Sequence, residues 1–236
     1  MTTAIVLAGG LGTRLRSAVP DWPKPMAPVG GKPFLTYLLD YWIGQGIDHF
    51  VLSVGYRHEA IRDTYGAAYR GVRLDYAIET EPLGTGGALR LAARHCPAGQ
   101  GFLLLNGDTF FAVDLAALRA FAAGQQADMC LSLFQTSDVQ RYHGVDLGTD
   151  GRIASLHRQT DAGPCLANGG VYWCEPDGLQ LETRAQGACS LENDVFPVLF
   201  SSQCRIAGLE FKAPFIDIGI PEDYHRAGEF LRRGAL

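Results

Sequence analysis

Ala4-Ile5-Val6-Leu7-Ala8-Gly9-Gly10-Leu11-Gly12-Thr13-Arg14-Leu15 is the stretch on which the fold turns. Ala4–Leu7 is an apolar run with a β-branched centre, which predicts a buried strand, and the glycines behind it predict a turn at its carboxyl end. Consecutive glycines let backbone N–H groups approach an anion without Cβ clashes, and such a turn can open onto a helix N-terminus. Arg14 adds a positive fork for phosphate oxygens. Two familiar phosphate loops are excluded. The third glycine of G-x-G-x-x-G falls on Leu15, and no Lys-Ser/Thr follows the last glycine as a Walker A loop requires.

Outward from this stretch, short aliphatic runs alternate with amphipathic ones, the pattern of a mostly parallel sheet covered by helices. The predicted strands are Ala4–Leu7, His49–Val54, Arg73–Ile78, Gly101–Leu105, Asp128–Phe134 and Val171–Trp173. The predicted helices are Pro33–Gln45, Glu59–Tyr65, Thr85–His95, Leu115–Ala123, Glu192–Phe200 and Pro221–Arg233, with Pro33 and Pro221 suited to a first helical turn. Asp150-Gly151 reads as a hairpin turn between Gly144–Gly148 and Arg152–Leu156, so the second half adds antiparallel strands. The chain of 236 residues contains no internal repeat, low-complexity tract or evident linker, and one domain over 1–236, with an α/β fold, is expected.

Composition narrows the function class. The chain is 47% hydrophobic and 19% charged, with a mean hydropathy of +0.03, which suits a globular protein rather than a disordered one. A net charge of −5 argues against general nucleic-acid binding. Neither a basic leader nor an apolar stretch of bilayer length is evident, so a cytoplasmic chain with no membrane partner is expected. The six cysteines stand singly, at Cys96, Cys130, Cys165, Cys174, Cys189 and Cys204, and read as reduced structural thiols rather than a metal cluster. No histidine is assigned a role.

Ligands of open parallel sheets bind beyond the carboxyl ends of the strands. Three marked phrases fall at such ends: the glycine loop, Asn106-Gly107-Asp108, and the loop after Tyr76-Ala77-Ile78. Asp108 follows an apolar strand, and Asp217 repeats the situation in Phe215-Ile216-Asp217-Ile218-Gly219. A carboxylate at a buried strand tip is costly unless paired or bound to a cation. Such oxygen ligands suit Mg²⁺, which takes one or two carboxylates plus substrate phosphates. Lys24, between Pro23 and Pro25, presents its amine from a stiff extended segment and would neutralise charge building on an α-phosphorus. Glu81-Pro82-Leu83-Gly84-Thr85-Gly86-Gly87-Ala88-Leu89 is a second glycine-rich turn entering a helix. There small residues let a flat base or ribose lie against the backbone, and Thr85 could serve as N-cap.

Taken in order, these phrases resemble the sugar nucleotidyltransferase family, enzymes that join a nucleoside triphosphate to a sugar 1-phosphate. The resemblance spans nearly the whole chain, adding Asn168-Gly169-Gly170-Val171-Tyr172, Ser190-Leu191-Glu192-Asn193-Asp194-Val195-Phe196-Pro197 and Phe215–Tyr224. It implies a GT-A-like, Rossmann-type mixed sheet flanked by helices, and a Mg²⁺-dependent in-line transfer without a covalent enzyme intermediate. It also implies that Leu7, Gly9, Gly10, Gly12, Thr13 and Arg14 hold the nucleotide, together with Glu79, Pro82, Gly84 and Thr85. Arg14 and Lys24 meet its phosphates, and Asp108 and Asp217 hold the metal. Gly107, Asn168, Gly169 and Glu192 then serve the sugar phosphate. One departure is visible: where many relatives carry Glu-Lys, this chain has Arg158-Gln159, and either Arg158 from a shifted position or another base supplies that charge.

Glu79 matches a position that is often Gln in relatives using uridine or thymidine nucleotides. A carboxylate only accepts, so it can take both N1–H and the exocyclic amine of guanine, whereas uracil presents an acceptor beside its N3–H. Within the family the chain most resembles guanylyltransferases acting on D-glycero-α-D-manno-heptose 1-phosphate, which implies GTP as donor. Transfer to mannose 1-phosphate, uridylyl transfer to N-acetylmuramate 1-phosphate, and a catalytically silent nucleotide-sugar-binding protein are the alternatives. A homo-oligomer is left open.

Overall fold

The first strand forms one residue longer than the aliphatic run suggests. In the computed structural model, which describes residues 1–10, 15, 19, 22–158, 163–185 and 187–234 (side chains at 157, 158, 233 and 234 apart), β1 spans Thr3–Leu7. The chain then runs through β2 (Pro28–Val29), β3 (Lys32–Pro33), α1 (Phe34–Gly44), β4 (His49–Val54), α2 (His58–Tyr65), β5 (Ala68–Tyr69), β6 (Val72–Ile78) and α3 (Gly84–Ala93). The middle supplies β7 (Phe102–Asn106), β8 (Thr109–Phe111), α4 (Leu115–Gln125), β9 (Met129–Thr136), β10 (Gly144–Leu147), β11 (Ile153–Arg158) and β12 (Cys165–Cys174). The last third adds α5 (Pro176–Leu179), α6 (Leu181–Arg184), a π-helical segment at Leu191–Val195, α7 (Phe196–Ser201), β13 (Ile206–Glu210), β14 (Phe215–Asp217) and α8 (Pro221–Gly234).

Among the described residues, ten strands pair into one mixed sheet in the order β11-β10-β12-β7-β1-β4-β6-β5, with β9 on β12 and β13 on β9. Its centre, β7-β1-β4-β6, is parallel. β12 runs antiparallel to β7 and begins the antiparallel extension expected of the second half, including the β10–β11 hairpin around Gly151. Successive residues of a central strand enter opposite layers, as a period of two requires. Ala4 and Val6 join Phe34, Leu38 and Trp42 of α1 on one face. Ile5 joins Leu89 of α3 and Phe196 of α7 on the other. Both faces of β1 and β7 are therefore covered, which is why Ala4–Leu7 and Phe102–Leu105 read as unbroken apolar runs. The result is the α/β, GT-A-like Rossmann-type arrangement expected. All six cysteines are free, and burial pushes the Cys130 thiol up to about 12, as fits inert structural thiols. Among the described residues, no helix is long and apolar enough to cross a membrane.

Three local expectations are corrected. Pro33 is not in the first helical turn; it is extended (φ −57°, ψ 144°) and pairs with Pro28 in the β2–β3 ladder, so α1 opens at Phe34. Glu192–Phe200 is not one regular helix. Pro197 has no N–H for the ladder, and the preceding turn widens, with the Val195 N–H bonding the Ser190 carbonyl five residues back at 3.1 Å. Val171–Trp173 is only the end of a ten-residue strand, Cys165–Cys174, whose register on β9 shifts between Asn168 and Tyr172. Glycine-rich Asn168-Gly169-Gly170 disguises that strand because it carries a bulge there.

Candidate active site

The parallel ladder runs one bond past the strand tips and lays three loops side by side. The Ala8 N–H bonds the Ser53 carbonyl at 2.8 Å, the Glu79 N–H bonds Val54 at 2.8 Å, and the Gly107 N–H bonds Leu7 at 3.0 Å. β1 sits between β7 and β4, so the crevice at its carboxyl end is where the strand order turns back, the usual ligand position of such sheets. Gly107 is required there: a Cβ would stand 2.5 Å from the Leu7 carbonyl oxygen.

A cleft of 680 Å³ opens over these tips. It is bordered by Leu7, Gly9, Gly10, Glu79, Pro82, Gly84, Thr85, Gly107, Asp108 and Glu192, so these expected site residues converge on one space. Gly55, Tyr56 and Asn106 border it too. Tyr56 was missed, although it lies just beyond the carboxyl end of β4, where the strand-tip rule points. A larger cavity, 840 Å³, lies between the end of β9 and α8; Asp217 lines it rather than the cleft, and none of its lining comes from the tips of the central β7-β1-β4-β6 strands.

Glu79 lies on the cleft wall against Gly9, where an added Cβ would collide with its carboxylate. Its Oε2 accepts the Leu83 N–H at 3.0 Å. Burial pushes its pKa up, and the single backbone hydrogen bond does not offset that. Lone pairs beyond the one given to Leu83 are available to a ligand.

Thr85 does not cap α3, which starts at Gly84 after Leu83. Its hydroxyl donates to Glu192 Oε2 at 2.9 Å and accepts the Leu191 N–H at 2.7 Å, while Ser190 Oγ also donates to Glu192 at 3.1 Å. Glu192 is thus held at the cleft edge by two hydroxyls.

Lys24 Nζ donates to Asp108 Oδ2. β14 pairs with β8 so that Asp217 faces Thr109, and the Ile218 N–H bonds the Asp108 carbonyl at 3.0 Å. Gly219 sits between Asp217 and Lys24: a Cβ on it would be 2.7 Å from Asp217 Oδ1 and 3.1 Å from Lys24 Nζ. Two carboxylates and one ammonium, from three distant parts of the chain, meet here, and of the three Asp108 borders the cleft with Gly9 and Gly10. The Asp108 and Asp217 side chains are 36% and 21% exposed, so neither is sealed from solvent. Among the described residues no three acidic, His or Cys side chains are placed to hold a metal by themselves. A pair of hard oxygen donors beside a ligand cleft fits Mg²⁺, which completes its shell with phosphates and water, better than a cation needing an all-protein cage.

The other expected residues stand differently. Asn168 donates to the Tyr172 hydroxyl at 2.8 Å, which is also bonded to Asn106, and it does not itself border the cleft. Gly169 does not border the cleft either; it packs on Phe111 and Ser132 in the β12 bulge. Gly12, Thr13, Arg14 and Gln159 lie outside the described residues, as does the side chain of Arg158.

A nucleotidyl transferase model matches residues 3–234. The chain belongs to the nucleotidyl transferase family. Within that family it is 40% identical over 97% of its length to the D-glycero-alpha-D-manno-heptose 1-phosphate guanylyltransferase of Aneurinibacillus thermoaerophilus, of which it covers 98%. It is 37% identical over 94% of its length to the protein of the same name from Campylobacter jejuni, of which it covers 96%. The crystal structure of HddC from Yersinia pseudotuberculosis complexed with GMP-PN superposes with a TM-score of 0.83 at 35% identity, covering 97% of this chain and 99% of that one. The fold expected from the strand–glycine-loop phrase is thus shared with that structure over 97% of this chain.

Proposed function

We propose that this chain is a sugar-1-phosphate guanylyltransferase that forms GDP-heptose from GTP and D-glycero-α-D-manno-heptose 1-phosphate. The carrying observation is the half-buried Glu79 carboxylate in the nucleotide cleft, a pure acceptor matched to the two donors of guanine, in a chain whose full-length relatives bear that activity.

In this reading an oxygen of the sugar phosphate attacks the α-phosphorus of GTP in line. The bond from that phosphorus to the bridging oxygen breaks, and pyrophosphate leaves with the electron pair. The protein's work is positioning and charge stabilisation. Glu79 accepts N1–H and the exocyclic amine, while Gly9 and Gly10 let the backbone approach the phosphates. Lys24 neutralises negative charge on the transferring phosphoryl group, and Arg14 adds a second cation. Asp108 and Asp217 would hold Mg²⁺, which supplies Lewis-acid stabilisation of the phosphate oxygens when bound. Glu192, pinned by Thr85 and Ser190, accepts sugar hydroxyls, and Asn168 steadies that wall through Tyr172. A cytoplasmic location, where GTP is abundant, belongs to the same reading.

Pyrophosphate release from four nucleoside triphosphates against heptose, mannose, glucose and N-acetylmuramate 1-phosphates tests it. GTP with the heptose phosphate should give the highest kcat/KM. A preference for UTP would discard the role of Glu79, mannose 1-phosphate as best acceptor would correct the sugar, and binding without turnover in Mg²⁺ would indicate a nucleotide-sugar sensor.

A further inference from the structure

We propose that Arg141 is a positioning residue for the transfer, a clamp that aims the Asp217 carboxylate at the reacting phosphates and is itself anchored by Asp223 of α8. The proposal rests on the reading of Asp217 given above. Asp217 ends β14, a strand whose ladder to β8 has only three residue pairs, so the backbone alone restrains it weakly. Each of its oxygens is tethered instead. Oδ1 accepts the Gly219 N–H at 2.6 Å, and Oδ2 accepts from Arg141 Nη2 at 3.0 Å. The same nitrogen reaches the Asp217 carbonyl oxygen at 3.1 Å, so one guanidinium edge holds main chain and side chain together.

The other arm, Nη1, pairs with Asp223 Oδ2. Asp223 is 4% exposed, and a carboxylate so buried is costly without a partner. Its second partner, Arg226 at 2.6 Å, has a side chain 67% exposed, whereas that of Arg141 is 21% exposed. The buried cation therefore carries most of the pairing. Arg141 is fixed from behind as well: its N–H bonds Asp138 Oδ1 at 3.1 Å, and it lies over the Tyr142 ring, which packs edge-on to Phe215 of β14. From α8 inward the charges alternate through Asp223, Arg141, Asp217, Lys24 and Asp108. A lysine at 141 would keep the charge but lack the planar fork that serves two carboxylates at once.

The test compares D217N, R141A, R141K and D223N with the full-length enzyme, reading kcat, KM for GTP and cooperative thermal melts, the melts repeated in EDTA. D217N should lose turnover. Both R141 variants should melt cooperatively and lose about 10–100-fold in kcat, the cost of a misaimed group, with KM for GTP within about twofold. Millimolar guanidinium chloride should restore part of the R141A rate, which a merely structural role would not give. D223N should lower kcat less, and R141A/D223N should be no worse than R141A. In EDTA the melting-point losses of the two single variants should likewise fail to add. If D217N is inactive while folded R141A and R141K keep kcat within twofold of wild type, the clamp is refuted. Should R141A fail to fold, R141K decides. If D217N itself turns over normally, the role of Asp217 fails, and the additivity of the melts in EDTA separately decides whether Arg141 and Asp223 act as one unit.

Discussion

Glu79 stands half-buried in the cleft wall, where its charge is costly and the proposed reading of the base gives it a use. Burial raises its pKa, so the folded protein favours the protonated form more than the unfolded chain does. Its contribution to stability is complete below the unfolded value and is lost as pH rises through the folded one; at neutral pH the ionised group therefore costs stability. Glu79→Gln should raise the melting temperature, by about 2–4 °C for each kcal/mol recovered, and lower the GTP-over-UTP ratio of kcat/KM by about tenfold or more. Differential scanning calorimetry and the kinetic ratio check both halves. An unchanged ratio would remove Glu79 as the base reader. In the wild type, KM for GTP should climb as the pH falls and Glu79 gains its proton, at a higher pH than an ordinary solvated glutamate would. Asp108→Ala and Asp217→Ala belong to the same scale. Each should lower kcat by about 10²–10³-fold with the fold kept, the cost typical of a lost electrostatic group, as read by pyrophosphate release beside circular dichroism.

At the scale of elements, the Thr85 hydroxyl latches the start of α3 to the π-helical segment that carries Glu192. Thr85→Val keeps the shape but orphans the Leu191 N–H and leaves the Glu192 carboxylate with Ser190 alone of its two hydroxyl donors. Unfolding free energy should fall by about 1–3 kcal/mol. KM for the sugar phosphate should rise more than KM for GTP. Urea denaturation and paired KM measurements check this, and equal changes in both KM values would mean that Glu192 does not address the sugar. The elements themselves were legible to different degrees. β4, buried at every position, appears with the bounds His49–Val54 that its pattern predicts. β8 and β14, three residues each, were not recognised as strands, because so short a run has no periodicity to show and gains its ladder only from its partner. The Leu191–Val195 turn reads locally as plain helix; that Pro197 widens it follows from the missing N–H but is visible only once the Ser190 bond is seen.

For the whole molecule, a net charge of −5 must accommodate a triphosphate and a sugar phosphate, so binding depends on a few local cations rather than on the overall field. EDTA should abolish turnover without shifting the melting transition by more than a few degrees, and added Mg²⁺ should restore the rate. Turnover that persists in EDTA would remove the cation from the reaction.

The glycine loop, Glu79, Asp108 and the turn at Pro82–Thr85 could be placed on one cleft from the linear order, because each follows an apolar strand and parallel strands end on the same side. Local chemistry is enough for that: strand periodicity, turn glycines and the cost of a carboxylate at a buried tip act within a few residues. Their partnerships could not be read in the same way. Lys24 on Asp108, Asp217 opposite Thr109, Thr85 on Glu192 and Arg141 between Asp217 and Asp223 join residues up to 108 positions apart. Such contacts depend on strand register and on how α8 and the Leu191–Val195 segment close over the sheet, and no short-range pattern encodes a distance between segments that meet only when the core is packed.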